Sequence, residues 1–372
     1  MSLFFKSPID IEILLDGEES RKHVDIPAVK NSDTRTSKDS FPLYEDGESI
    51  SGIVTLRVKE GKRLEHLGVK VSIIGSIDMA KTNGSTSGTK MSSSSDVRKK
   101  AVDQFLCLSY DLCPAGELTH SQNFPFLFKD LAKRYESYRG KNVDVSYYVK
   151  VTVMRKTTDI SKAKKFWVYL YNDISNSTSE ITNDSSGKQK TDLAEVETTE
   201  ENANKDGAIG DGNNRENVNE QKMVSKSTDE EGTSNISKPV RLDIGIENCL
   251  HIEFEYGKAQ YNLKEVIVGR IYFLLTRLKI KHMELSIITR ESSGLKPSSS
   301  LIDSTAIRFE IMDGSPVKGE TIPIRLFLGG YDLTPNMSCN YFSVKNYISL
   351  VIIDEDGRRY FKQSEVVLYR TR

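Results

Sequence analysis

Long runs in which apolar and polar residues alternate are the feature that most constrains this chain. Residues 143–153 place an apolar side chain at every odd position, from Val143 to Val153, with mostly polar side chains between them. Successive side chains of a β-strand point to opposite faces of a sheet, so this period of two predicts a half-buried strand rather than a helix. Turn sequences such as Asp46-Gly47 separate these runs. Many strands without alternating helices predict antiparallel β-sandwiches.

The alternating runs cover most of the chain. The only helix that the sequence suggests is short, around Phe128 to Tyr135. Besides 143–153, strands are predicted at 9–15, 50–58, 67–79, 105–112, 164–171, 240–256, 266–275, 280–290, 305–312, 320–328, 341–353 and 358–370.

Polar segments predict how the chain divides. Its 372 residues are too many for one ordinary sandwich and suit two. Residues 172–238 lack Phe, Trp and Tyr, and their fifteen Asp or Glu against seven Lys or Arg leave a charge of −8. Such a segment cannot bury enough apolar surface to offset the entropy of ordering. We therefore predict a sandwich in 1–171 with a disordered insert at 81–100, a disordered acidic linker in 172–238, and a second sandwich in 239–372.

The two predicted domains share an internal repeat. The first has the pattern Glu48-x-Ile50-x-Gly52-x-Val54 and the second has Glu265-x-Ile267-x-Gly269-x-Ile271. A His-apolar pair follows each pattern at a similar distance, and a Gly-Glu pair follows later in both. Three matches in the same order indicate a duplicated domain. A glycine inside a strand predicts a bulge or a close backbone approach.

No constellation typical of catalysis is found. The glycine patterns of nucleotide-binding loops and the G-x-S-x-G elbow are absent. Cys249 and His251 lie two apart on one strand face and could chelate a metal, but no further ligands accompany them. The basic cluster at 155–156 and 162–165 suits either phosphate contact or a solvated hairpin, and we favour the hairpin. We predict a protein that is not an enzyme, needs no cofactor and binds no nucleic acid.

Two further compositional features bear on the setting of the protein. The four cysteines form no CxxC pair, which is typical of reduced, buried thiols in a cytosolic protein. No run approaches the roughly 18 apolar residues of a membrane span, so any membrane role is expected to be peripheral.

Several long stretches resemble a known family. They are similar to the arrestin-like small subunit of the retromer coat, the vacuolar protein sorting 26 family in its fungal form, and cover almost everything outside the polar segments. The stretches are RLEHLGVKV (63–71), SYDLCPAGELTHSQNFPF (109–126), KRYESYRGKNVDVSYYVKV (133–151), DIGIENCLHIEFEY (243–256), KEVIVGRIYFLLTRLKIKHMELSII (264–288), FEIMDGSPVKGETIPIRLFLGGYDLTPNM (309–337) and RRYFKQSEVVLYR (358–370).

The resemblance implies an all-β fold of two tandem, arrestin-like sandwiches and a non-enzymatic role. It implies a cytoplasmic protein that is peripheral on the endosomal membrane, which it reaches through its partners. Those partners would be the large α-solenoid retromer subunit, sorting nexins and the cytoplasmic tails of cargo receptors. The process would be endosome-to-Golgi retrograde transport and vacuolar protein sorting.

The resemblance also places two partner sites. The solenoid subunit would bind at Ile311 and Met312. Alternation puts Ile307, Phe309 and Ile311 on one strand face, so Met312 points the opposite way or lies past the strand end at Asp313-Gly314. At least one of the adjacent pair is therefore available to a partner. The alternative is ordinary packing of both strand faces into the core.

A groove for cargo and a sorting nexin would lie at Ile244 and Phe342. An extended tail could add there to an exposed strand. Both residues also alternate in phase with other apolar residues of their own strands, so plain core packing stays open as the alternative for each.

A second function fits the fold. An arrestin-like adaptor for receptor endocytosis outside retromer would use the same architecture. Adaptors that recruit ubiquitin ligases carry PPxY-type motifs, and the chain has none. An enzyme on a sandwich scaffold would need convergent polar residues that the sequence does not show. A sandwich with a purely structural or chaperone-like role and no cargo is a further possibility.

Overall fold

The computed structural model describes residues 7–27, 38–80, 99–172, 238–246, 248–294 and 299–372. Within these residues the chain is built almost entirely of strands, with one 3₁₀ helix at Glu18–Ser20. Nearly all strand pairs are antiparallel. The predicted all-β, tandem sandwich architecture is confirmed.

We refer to described residues before and after 172–238 as the N-terminal and C-terminal halves. The strands of the N-terminal half are β1 (Ile9–Leu15), β2 (His23–Pro27), β3 (Lys38–Glu45), β4 (Ile50–Val58), β5 (Leu64–His66), β6 (Gly68–Ala80), β7 (Lys99–Cys113), β8 (Gly116–Leu118), β9 (Gln122–Phe128), β10 (Tyr138–Arg139), β11 (Val143–Met154) and β12 (Ile160–Tyr169). Those of the C-terminal half are β13 (Val240–Ile246), β14 (Leu250–Tyr256), β15 (Gln260–Asn262), β16 (Val266–Thr276), β17 (Ile280–Ser293), β18 (Ser300–Asp313), β19 (Thr321–Phe327), β20 (Met337–Ser338), β21 (Phe342–Asp354) and β22 (Arg359–Tyr369).

Each half contains a small and a large sheet. In the N-terminal half the small sheet has the order β1-β4-β9 and the large sheet β2-β3-β12-β11-β6-β7, while β5 and β8 form a separate pair. In the C-terminal half the orders are β13-β14-β16-β19 and β15-β22-β21-β17-β18. No sheet of the described residues combines strands from both halves. The domain bounds 1–171, 172–238 and 239–372 stay a prediction, because 173–237 lie outside the described residues.

The core of each half follows from the alternation. The odd residues of β11 from Val143 to Val153 are buried, whereas the even residues are partly exposed. The side chains of Tyr147, Val149, Val151 and Val153 join a large apolar cluster between the two N-terminal sheets. A second cluster, from Leu242 to Leu368, fills the C-terminal half. Burial of these apolar faces is the main favourable contribution to folding each sandwich.

The internal repeat is visible in the small sheets. Gly52 of β4 lies between Leu15 and Phe126, and Gly269 of β16 lies between Tyr256 and Ile324. A β-carbon on either glycine would overlap a carbonyl oxygen of the neighbouring strand. The close backbone approach predicted at both glycines is therefore confirmed.

Two predictions about local structure are wrong. The segment after Phe128 does not form a helix, because its polar backbone groups bond to the loop between β3 and β4 instead. The amide of Asp130 donates to Ser49, and the amide of Lys133 donates to Asp46. The insert predicted at 81–100 also ends too late, since β7 already begins at Lys99; residues 81–98 lie outside the described residues.

The same loop explains an unusual buried cation. Lys133 is buried, and its Nζ donates to the carbonyl oxygens of Glu45, Glu48 and Leu131 at 2.6, 2.8 and 3.2 Å. Burial lowers the pKa of Lys133 to about 8. The ammonium group thus joins the β3–β4 loop to the segment that follows β9.

We expect Lys133→Met to destabilise the protein by about 3 kcal/mol, because three enclosed carbonyl oxygens lose their donor while the side-chain length is kept. Urea unfolding would measure the loss. The exposed Lys129 offers a matched control, and Lys129→Met should change the unfolding free energy by less than about 0.5 kcal/mol. Equal stability of the two variants would contradict the assignment.

Candidate functional site

The predicted solenoid contact lies on an edge strand. β18 pairs with β17 on one side only and ends the large C-terminal sheet. A β-bulge interrupts this pairing, since Met312 opposes Met283 and Glu310 opposes Glu284, which leaves Ile311 as the extra residue. Edge strands with bulges present backbone and side-chain groups that a partner can use.

The bulge changes which way the predicted pair faces. Residues opposite one another in an antiparallel pair share a face, so Met312 lies on the inner face with the fully buried Met283. Alternation predicted that Met312 lies on the opposite face. This prediction is wrong, because the extra residue at Ile311 shifts Met312 by one position along the strand. Both Ile311 and Met312 are partly buried against the C-terminal core.

Two exposed apolar side chains lie close to this pair in the sequence. Phe309 is on the inner face of β18 but is 47% exposed, because an edge strand is covered on one side only. Val317, in the turn after β18, is 70% exposed. Sequence reasoning missed both. Phe309 alternates in phase with the buried Ile307, so no signal along the strand separates it from the core.

The second predicted site touches the junction of the two halves. Phe342 is 4% exposed and stacks on Tyr138 of the N-terminal half, with ring centroids 6.2 Å apart and planes 6° from parallel. Around it lies an apolar cluster shared by both halves, whose other buried members are Ile77, Val143, Val145 and Val344. Phe342 is therefore part of the apolar contact that joins the halves.

A carboxylate of the C-terminal half completes this junction. Glu291 is buried on β17. It accepts hydrogen bonds from the Tyr138 hydroxyl at 2.9 Å and from the main-chain N–H of Asn142 at 2.7 Å. Burial, and then the neighbouring Glu291 charge, raise the pKa of Tyr138 well above its usual range. A β-carbon on Gly140 would overlap the carboxylate of Glu291, so glycine leaves room for this approach.

A carboxylate of the N-terminal half makes the reciprocal contact. Glu136 is buried and accepts from the Arg370 guanidinium at 2.8 and 3.1 Å. Burial raises the pKa of Glu136, and Arg370 opposes that shift. The guanidinium also lies 3.6 Å over the ring of Tyr169. Each half thus buries one carboxylate among donors of the other.

Ile244 lies apart from Phe342. It is buried in the C-terminal core on β13, whereas Phe342 belongs to the junction cluster. β13 is an edge strand, because it pairs only with β14 in the small C-terminal sheet. The two predicted groove residues therefore do not share a cluster, but Ile244 marks a strand with a free edge.

The predictions about the cysteines, a metal site and membrane spans can also be compared with the structure. Cys107 and Cys249 are exposed, so the prediction of buried thiols is wrong for these two. His251 binds Asp243 at 2.8 Å rather than facing further metal ligands. Among the described residues, no three His, Cys, Asp or Glu side chains group in a way that could hold a metal ion. No helix in the described part of the chain is long and apolar enough to cross a membrane.

Comparison with known proteins gives a consistent result. Residues 5–357 match the family model described as vacuolar protein sorting-associated protein 26. The chain is 66% identical to "Carboxypeptidase Y-deficient protein 8" of Saccharomyces cerevisiae, with all of both chains covered. It is 38% identical to vacuolar protein sorting-associated protein 26 of Schizosaccharomyces pombe, covering 100% of this chain and 99% of the relative. It is 39% identical to human vacuolar protein sorting-associated protein 26B, covering 100% and 88%.

Both the matched length and the identities show one family. The chain belongs to the vacuolar protein sorting-associated protein 26 family and is a non-enzymatic subunit of the retromer coat that acts in vacuolar protein sorting.

Proposed function

We propose that this subunit connects the large α-solenoid subunit of retromer to sorting nexins and to the cytoplasmic tails of cargo receptors. The solenoid would bind one edge of the C-terminal half, and the tail with its sorting nexin would bind near the junction of the halves. The protein would act as a peripheral component on endosomes, in the return of receptors to the Golgi. The observation that carries this proposal is the bulged edge strand β18.

The edge of β18 suits a large helical partner. Its bulge presents Ile311 as an extra residue, and Phe309 and Val317 add exposed apolar area nearby. A few well-packed residues near the centre of an interface usually carry most of its binding energy. A helical surface could cover these side chains without pairing with the strand backbone.

The free edge of β13 suits an extended tail. A peptide that adds to this strand forms backbone hydrogen bonds, and its alternate side chains enter pockets beside the strand. Ile244 lies on β13 and would contact the tail at this edge. Phe342 would keep the junction of the halves in a fixed geometry, because it stacks on Tyr138. In this proposal Ile244 contacts the tail more directly than Phe342 does.

We expect Ile311→Asp combined with Met312→Asn to leave a folded protein that no longer co-purifies with the solenoid subunit. The expected loss is at least about 100-fold in affinity, because charged and polar groups replace two apolar anchors. Leu301→Asp is the matched control, since Leu301 is 64% exposed on the same edge strand. Retained co-purification of the double variant, or an equal loss in the control, would refute this contact.

We expect Phe342→Leu to weaken binding of a hydrolase-receptor tail peptide, measured with a sorting nexin present, by about fivefold. The change keeps an apolar side chain but removes the ring stacked on Tyr138, and such aromatic pairs contribute about 1 kcal/mol. Phe254→Leu is the control, because Phe254 is fully buried in the C-terminal core and outside the junction cluster. It should lower the thermal midpoint without changing tail affinity. Unchanged tail binding by Phe342→Leu would assign Phe342 to the core alone.

A further inference from the structure

The outer face of the small N-terminal sheet carries an unusual apolar row. Leu14 of β1 pairs with Ile53 of β4, and Ile53 pairs with Pro125 of β9, so the three side chains lie side by side across all three strands. Leu127 lies two residues after Pro125 on β9 and therefore on the same face. Leu14, Ile53 and Leu127 are 52%, 42% and 45% exposed, and Pro125 is also exposed. Contiguous exposed apolar patches mark interaction surfaces more often than scattered single residues do.

The duplicated half provides an internal comparison. Gly52 and Gly269 occupy equivalent places, so the residues equivalent to Leu14, Ile53 and Pro125 are Glu255, Arg270 and Pro323. Nearby on that face, Arg241 forms ion pairs with Glu253 and Glu255. The fold therefore does not require apolar residues at these positions, and the apolar row needs another explanation.

Acidic side chains border the row along β1. Asp10 and Glu12 share the outer face with Leu14, because they are spaced by two along the strand, and Asp16 follows in the turn after β1. Glu12 pairs with Arg57 of β4, and Asp16 accepts a hydrogen bond from the hydroxyl of Ser51 at 2.6 Å. Three carboxylates against one cation leave two negative charges on this edge of the face.

The width of the face limits what can cover it. Three strands about 4.8 Å apart span about 10 Å, which is close to the diameter of one α-helix. We propose that the apolar row of Leu14, Ile53, Pro125 and Leu127 is a docking surface for a basic amphipathic helix of a partner protein. The apolar face of that helix would cover the row, and its Lys or Arg side chains would pair with the carboxylates of β1. This surface shares no residue with the contacts proposed above and does not depend on them.

The charges decide between this partner and two others. An anionic membrane would be repelled by the acidic border, since such surfaces attract Lys and Arg. A second copy of the chain, paired through a two-fold axis that runs across the strands, would bring two acidic borders together. A basic helix is the occupant that satisfies both the apolar row and its border.

The experiment uses the full chain and a fluorescent synthetic peptide of about 18 residues, built from Leu on one helical face and Lys on the other. We expect saturable binding by fluorescence anisotropy, weakened at least about tenfold by Ile53→Lys, because a cation then faces the peptide's apolar side. Raising the salt concentration from about 50 mM to about 300 mM should also weaken binding, since exposed charges are screened.

Val268→Lys is the matched control. Val268 is 53% exposed on β16, in the equivalent sheet of the C-terminal half, and its variant should bind the peptide as the unaltered protein does. The thermal midpoints of both variants should stay within about 2 °C of the unaltered protein. Equal peptide binding by the unaltered protein and Ile53→Lys, or tighter binding of a Leu/Glu peptide of the same pattern, would overturn the proposal. Ile53-dependent binding to phosphatidylcholine–phosphatidylserine vesicles would assign the row to a membrane, and Ile53-dependent dimerisation in sedimentation would assign it to a second copy.

Discussion

Two buried carboxylates, each bonded to donors of the opposite half, fix how the two sandwiches of this protein meet. Glu291 accepts from Tyr138 and Asn142, and Glu136 accepts from Arg370. No described sheet crosses between the halves, so these bonds, the shared apolar cluster and the side-chain bonds of Asn142 to Ser293 and Ser300 hold them together. A buried charge without its partner is costly, and the arrangement therefore favours one way of joining the halves over alternatives.

That junction leaves the strand edges free for partners. A sandwich of two unequal sheets cannot cover every edge, and here β13 and β18 each pair on one side only. In β18 the bulge at Ile311 breaks the alternation that would otherwise place Met312 on the outer face. These two edges belong to different sheets, so a partner at one would not compete for the backbone groups of the other.

The sequence predicted the strands well because alternation reports burial directly, as the odd residues of β11 illustrate. It predicted the segment after Phe128 wrongly, because distant loop groups take up the amides of Asp130 and Lys133. Of the site, Ile311 could be placed on a strand but its bulge could not, since a bulge depends on the partner strand. The role of Glu291 was also hidden, because a charged residue in a strand reads as solvent-facing until the opposite half is in place.

The contact of Glu291 with the N-terminal half differs in kind on its two sides. The C-terminal half contributes one side chain, that of Glu291. The N-terminal half contributes a main-chain donor at Asn142, and Gly140 leaves room for the carboxylate because it has no side chain. Substitutions at Asn142 keep an amide there, with proline as the exception, but any β-carbon at Gly140 intrudes on Glu291. A substitution at Asn142 therefore keeps the main-chain bond to Glu291 and loses the side-chain bonds to Ser293 and Ser300, whereas a substitution at Gly140 displaces the Glu291 carboxylate itself.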